Sequence, residues 1–349
     1  MVTDRWLVSL PKAEVHVHLE GSFDHDFVAA AAGRAGMELP DRSQVHDLAQ
    51  LLDYLDTACR AVTDPGQLEE LAYRFAQREA GCGVRYADAI VNPSHWPAWT
   101  ERLPAFVGAL DRGFAAAESD GLTPVGLCIS IARTQSSQSA MSVVEQLLAL
   151  RHPRVVALSI DGNEAASGRT ADRFAPAFDR AASGGLKRTA HAGESSGPEG
   201  VWDAIDVLGA DRIDHGVRAA EDDQLVAQLV LRHVPLGICP TSNVSLGIVP
   251  SVHDHPLDEL RRAGVMISLN TDDPALLGTD LINEYRTCAQ AFGWSEDTLC
   301  AVARTSVEAA FASPALKSQL LRDLREFAGA TQPDEPATTS PCPETGAGG

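Results

Sequence analysis

The sequence predicts a single (β/α)8 (TIM) barrel with extra helices inserted after its first strand. Three observations carry this. Short runs rich in Val, Ile and Leu alternate with longer amphipathic stretches rich in Ala and Leu, the rhythm of repeated βα units on a parallel sheet. The short runs number eight, which is the count that closes a barrel. The chain of 349 residues is long for an average domain but ordinary for such a barrel.

In chain order the expected strands are AEVHVHL (13–19), VRYADAIV (84–91), PVGLCISIA (124–132), VVALSID (155–161), LKRTAHA (186–192), DRIDHG (211–216), VPLGICP (234–240) and VMISLNT (265–271). The gap between the first two exceeds one crossover, and HDLAQLLDYLDTACRAV (46–62) and PGQLEELAYRFAQREAG (65–81) read as additional helices within it. The barrel is expected to occupy residues 1–329. Beyond KSQLLRDLREFAG the chain, residues 330–349, turns rich in Pro, Thr and Gly with little to bury, and a disordered tail is expected there.

Composition narrows the function. Hydrophobic residues make up 44% and charged residues 22%, with no stretch apolar and long enough to span a membrane. The start, MVTDRWLVSLPKAE, lacks the basic flank and apolar core of a secretory signal, so a cytoplasmic location is expected. Seven cysteines, odd in number, scattered and without a C-x-x-C pair, read as reduced thiols and not as a disulfide framework or thiolate metal site. A net charge of −20 disfavours nucleic acid as a partner, and a small neutral or cationic ligand fits better. No heptad or interface stripe indicates an oligomeric state.

The unusual polar residues gather at one end of the barrel. His16 and His18 share one side of the first strand, where apolar residues are otherwise expected. His191 ends the fifth strand, His215 the sixth, and Asp272 and Asp273 follow the eighth. The C-terminal strand ends line the active-site mouth of a barrel. Imidazoles and a carboxylate converging there suit a divalent transition metal, zinc above all, and metal-assisted hydrolysis is the chemistry implied. Each motif alone has a plainer reading: hydrogen-bonded core histidines for HVH, a strand-ending turn for HAGE, a helix cap for TDDP.

In order, PKAEVHVHLEGS, DGNE, HAGE, RIDHG, CPTSNVSLG and SLNTDDPAL resemble the adenosine and adenine deaminases of the amidohydrolase superfamily, from about residue 8 to 315. The resemblance implies a zinc-dependent barrel, one ion per chain, that replaces the 6-amino group of a purine base or nucleoside with oxygen and releases ammonia. It makes His16, His18, His191 and Asp272 the metal ligands and Glu194 the acid that protonates purine N1. His215 would orient the attacking oxygen, Asp273 would contact that oxygen and purine N7, and the backbone of Gly162 would approach N3.

Departures from the pattern bear on the substrate. Glu20 stands where adenosine-specific members usually carry Asp at the ribose 5′ hydroxyl. Asp214 replaces a small residue, as in the adenine branch, and would accept a bond from a free imidazole N–H of the base; the alternative is pairing with Arg212 or a backbone amide. Asp88 and Ile90 replace the family's Glu and Arg, Ser159 and Asp161 alter the DGNE segment, and Thr241 resembles members acting on larger nucleosides such as aminodeoxyfutalosine. Adenosine or adenine is thus the leading expectation, with a modified 6-aminopurine nucleoside as the alternative. Hydrolysis of another cyclic amidine, amide or ester, and a catalytically silent purine-binding barrel, are the remaining readings.

Overall fold

The computed structural model describes residues 2–41, 45 and 47–331. Eight strands follow one another around a single sheet: β1 (Lys12–His18), β2 (Val84–Val91), β3 (Val125–Ala132), β4 (Val155–Asp161), β5 (Lys187–Ala192), β6 (Arg212–His215), β7 (Leu236–Ile238) and β8 (Ile267–Leu269). Every neighbouring pair is parallel. The eight expected strands are all present. β7 and β8 are shorter than expected, because Pro240 opens the helix Pro240–Ser245 and residues 270–273 leave the ladder to build the site.

Two irregular places in the sheet serve the centre. The β8–β1 seam closes through one bridge, Val17 to Asp272, in which the His18 N–H donates to Asp272 O at 2.7 Å and the Asp272 N–H to His16 O at 3.2 Å. Below it the Asn270 side chain stands in for a strand: its Oδ1 accepts from the N–H groups of Val15 and His16, at 2.8 and 3.1 Å. On the other side of β1, against β2, the register slips between Glu14 and Val17, the kind of bulge that re-aims side chains. The other irregularity lies between β4 and β5, which pair only at Ala157–Lys187 and Leu158–Arg188. Above that point the strands separate, and the His191 ring fills the gap with Nδ1 at 3.1 Å from Ile160 O.

The segment between β1 and β2 corrects one expectation. Helix α1 (Asp4–Ser9) precedes β1; α2 (His25–Ala35), α3 (Leu48–Arg60) and α4 (Pro65–Gly81) follow it. α4 packs on β2 and on the helix Leu103–Ser119, so it is the ordinary crossover helix, started by a capping box between Asp64 and Gln67 with Pro65 at its first position. The insertion is therefore α2 and α3. Capped by Asp47, α3 carries leucines at 48, 51, 52 and 55, the spacing of one helical face, and that face turns toward the barrel mouth.

Inside the barrel, beneath the mouth, Arg212 is fully buried. Its Nη1 donates to Asp88 at 2.8 Å, its Nε approaches Asp214 at 3.3 Å, and the guanidinium lies 4.2 Å from the Phe311 ring centre. The six described cysteines are free thiols, five of them buried. Among the described residues no helix is long and apolar enough to cross a membrane. The expected tail lies, from residue 332 onward, outside the described residues.

Candidate active site

β1, β5 and the turn after β8 bring His16, His18, His191 and Asp272 together, all buried. The His191 Nε2 is 3.2 Å from that of His16 and 3.0 Å from that of His18. Asp272 Oδ1 is 3.2 and 3.3 Å from the Nε2 atoms of His16 and His18. Four ligands placed tetrahedrally at about 2.0–2.1 Å from zinc stand about 3.3 Å apart, so the spacing fits.

The tautomers strengthen the fit. His16 Nδ1 is 2.7 Å from Gly237 O and His191 Nδ1 is 3.1 Å from Ile160 O, so both rings donate backward to carbonyls and turn Nε2 lone pairs toward each other. Converging lone pairs repel unless a cation lies among them. Carboxylates nearby reinforce that demand for positive charge: burial acts to lower the His16 pKa, but Asp214 and Asp272 outweigh it and raise it, so they favour a cation, proton or metal, at its Nε2. His191 is driven the other way by burial and by the surrounding imidazoles. A second set, His16, His215, Cys239 and Asp272, also lies close together. It is a poorer ligand set, since burial holds the Cys239 thiol protonated and His16 Nδ1 is committed to Gly237.

Asp272 sits at φ 65° and His215 at φ 70°, the left-handed region that residues with a Cβ rarely occupy. Such strain persists where the surroundings fix it. Ser242 Oγ donates to Asp272 Oδ2 at 2.6 Å and pins the carboxylate.

The cavity above these ligands is lined by His18, Glu20, Asp161, Gly162, His95, Glu194, His215, Asp273 and the α3 leucines. Glu194 is buried, and burial, then the Asp272 and Glu164 charges, push its carboxyl up to about 8. Its Oε1 is 3.4 Å from His215 Nε2 without hydrogen-bond alignment and has no partner among the described residues. Asp273 Oδ1 and Glu20 Oε2 are likewise buried and unpartnered, with both carboxyls raised chiefly by burial. Glu20 is held by its other oxygen, which accepts from the Asn92 N–H at 2.7 Å and from Trp96 Nε1 at 2.8 Å. Gly162 has φ 97°, so glycine is required there by the backbone itself.

One predicted site residue lies elsewhere. Asp214 does not line the cavity; it is fully buried behind the ligands, accepting from Thr189 Oγ1 at 2.7 Å and facing Arg212 and, at 3.8 Å, His191 Nδ1. It is paired with Arg212 and lies beside the histidine group, away from the cavity.

Other residues of the site were not picked out from the sequence. Glu164, the last residue of DGNE, accepts from the backbone N–H groups of Gly193, Glu194, Ser195 and Ser196 at 3.0 to 3.4 Å and from Ser196 Oγ at 2.8 Å. One carboxylate thus holds the loop that carries Glu194. Ser242 and Asn243 stood within CPTSNVSLG, where their polarity gave no role, and the leucine face of α3 was legible as helical spacing without a destination.

An all-parallel barrel with three imidazoles and a carboxylate at its C-terminal rim defines the class of metal-centred barrel hydrolases. Within that class the chain belongs to the adenosine deaminase family, whose model matches residues 11–327. It is similar to the aminodeoxyfutalosine deaminase of Streptomyces avermitilis, 35% identical over 339 residues that take in 93% of each protein. Among solved structures it resembles an adenine deaminase from Arthrobacter aurescens, with TM-score 0.85 and 32% identity over 92% of this chain and 99% of that one. An amidohydrolase from Burkholderia ambifaria with bound zinc gives TM-score 0.85 at 25% identity, covering 95% of each chain.

Proposed function

We propose that this chain is a zinc-dependent aminohydrolase that converts a 6-aminopurine to the 6-oxopurine with release of ammonia. The observation that carries this reading is the placing of one buried, unpartnered carboxyl, Glu194, beside a four-ligand group whose lone pairs converge. When bound by His16, His18, His191 and Asp272, zinc supplies the Lewis acidity that makes a nucleophile available from water at neutral pH.

The protein's own residues do the rest. Glu194, kept protonated by burial, donates its proton to ring N1 and so makes C6 electrophilic. His215 directs a hydrogen bond at the incoming oxygen, and Asp273 holds that oxygen and N7. Gly162 lets the backbone approach N3. Glu20 faces the remainder of the substrate with its free Oε2.

The described lining contains Glu20, Asp161, Glu194, Asp272 and Asp273 and neither Lys nor Arg, which supports an uncharged base or nucleoside of the adenine or adenosine type over a phosphorylated one. The leucine face of α3 favours a second reading, a nucleoside with a larger apolar extension such as aminodeoxyfutalosine. Conversion of adenine, adenosine, 2′-deoxyadenosine, methylthioadenosine and aminodeoxyfutalosine, followed by ultraviolet change and product identification, tests both. Inertness toward all five would refute the reading.

Gly21 gives a prediction of its own. A Cβ at this position would lie 1.8 Å from Asp273 Oδ1 and 2.4 Å from Asp273 Cβ, so Asp273 must move. Gly21→Ala is expected to lower kcat/KM by about 10²-fold, the cost of an ångström-scale misplacement, while zinc content stays at one per chain. Steady-state kinetics with metal analysis on the same preparation check it.

A further inference from the structure

A line of hydrogen bonds runs from a backbone amide into the centre. The Leu257 N–H donates to His255 Nδ1 at 3.1 Å, His255 Nε2 meets Asn243 Oδ1 at 3.1 Å, and Asn243 Nδ2 meets His215 Nδ1 at 3.2 Å. All three side chains are buried. A backbone N–H can only donate, so His255 Nδ1 carries the lone pair and His255 Nε2 carries the hydrogen. That hydrogen requires an acceptor, which fixes the Asn243 amide with its oxygen toward His255 and its NH2 toward His215. His215 Nδ1 must then accept. Its single hydrogen is left on Nε2, the atom 3.4 Å from Glu194 Oε1 and 3.9 Å from Asp272 Oδ2. An imidazolium at either ring would set two donors face to face.

We propose that this chain is a tautomer lock, in which Asn243, backed by His255 and the Leu257 amide, is a positioning residue that holds His215 as a neutral Nε2–H donor aimed into the centre. His215 then gives a hydrogen bond to the oxygen that joins C6. It does not act as a base toward that oxygen's proton, and it is not a metal ligand, since no lone pair faces the centre. The lock also accounts for the strained backbone of His215, which brings Nδ1 to Asn243 and Nε2 to the cavity at once.

The catalytic consequence rests on the aminohydrolase reading, but the tautomer is a property of the protein without substrate, so the two are tested apart. Long-range 1H–15N spectra of zinc-loaded protein labelled at histidine, with His215 signals assigned by their loss in His215→Asn, should show Nε2 protonated and Nδ1 bare. Asn243→Asp is nearly isosteric but can only accept, so it should transfer the His215 hydrogen to Nδ1. With it kcat should fall by on the order of 10²-fold or more at little change in KM; a wrong imidazole tautomer costs about 10⁴-fold in a serine protease. His255→Gln, whose amide can still donate to Asn243, should recover most of the activity that His255→Leu loses, with zinc at one per chain throughout. A wild-type His215 protonated at Nδ1 or bare at Nε2 overturns the proposal without any variant. So does Asn243→Asp with unchanged tautomer or unchanged kcat. Wild-type protein inert toward 6-aminopurines would instead overturn the functional reading and leave the spectra as the test of the lock.

Discussion

Glu194→Gln is expected to keep one zinc per chain and to lose turnover by about 10²-fold or more, the contribution of a general acid. The amide preserves the shape of the side chain and its place on the loop held by Glu164, but it has no acidic proton to give a ring nitrogen. The same residue sets a pH dependence. Its folded pKa is raised to about 8, chiefly by burial, and the protonated form is the active one, so activity is present at low pH and is lost as pH rises through that value. A dication at the neighbouring ligands favours the carboxylate and pulls the limb downward, which places it at or below about pH 8. In kcat/KM against pH the wild type should show this alkaline limb, and the glutamine variant should lack it. Full activity in the variant would remove Glu194 from its role.

Removal of the metal has the larger effect. Dialysis against a chelator, or His191→Ala, is expected to abolish deamination by about 10³-fold or more, since a Lewis-acid metal supplies several kcal/mol and each 1.4 kcal/mol is a decade. Added zinc should restore the chelated wild type and not the variant. His191 is the sharpest choice because its Nε2 approaches both other imidazoles, at 3.2 and 3.0 Å. Metal analysis should give one zinc per chain before treatment, and activity that survives with no metal bound would refute the assignment.

Strand count, topology and the gathering of His16, His18, His191 and Asp272 were legible because they follow from periodicities: apolar runs mark strands, and a barrel carries its chemistry at one end of them. Asp214 shows where such reasoning stops. Its position in RIDHG places it near the ligands, but whether it faces the cavity depends on a partner two residues away, Arg212, and on Asp88 across the barrel. Glu164 and Asn243 were hidden for a related reason. Each acts through groups remote in the chain, Glu164 on the amides of residues 193–196 and Asn243 between His215 and His255, and such pairings appear only once the strands are assembled. The division of the β1–β2 segment was misjudged because amphipathicity marks α3 and α4 alike, while only packing tells a crossover helix from a covering one.

The β8–β1 seam has a consequence for how the chain holds its shape. It joins positions 255 residues apart through one bridge of two backbone bonds and the side chains of Asn270 and Glu14, so the pairing most expensive in chain entropy rests on few backbone bonds. His16 and His18 stand on one side of it and Asp272 on the other. An ion held by all three is a reversible cross-link between the two ends of the domain, and the zinc-free protein should melt at a lower temperature, with its first and last strands the earliest to exchange amide hydrogens.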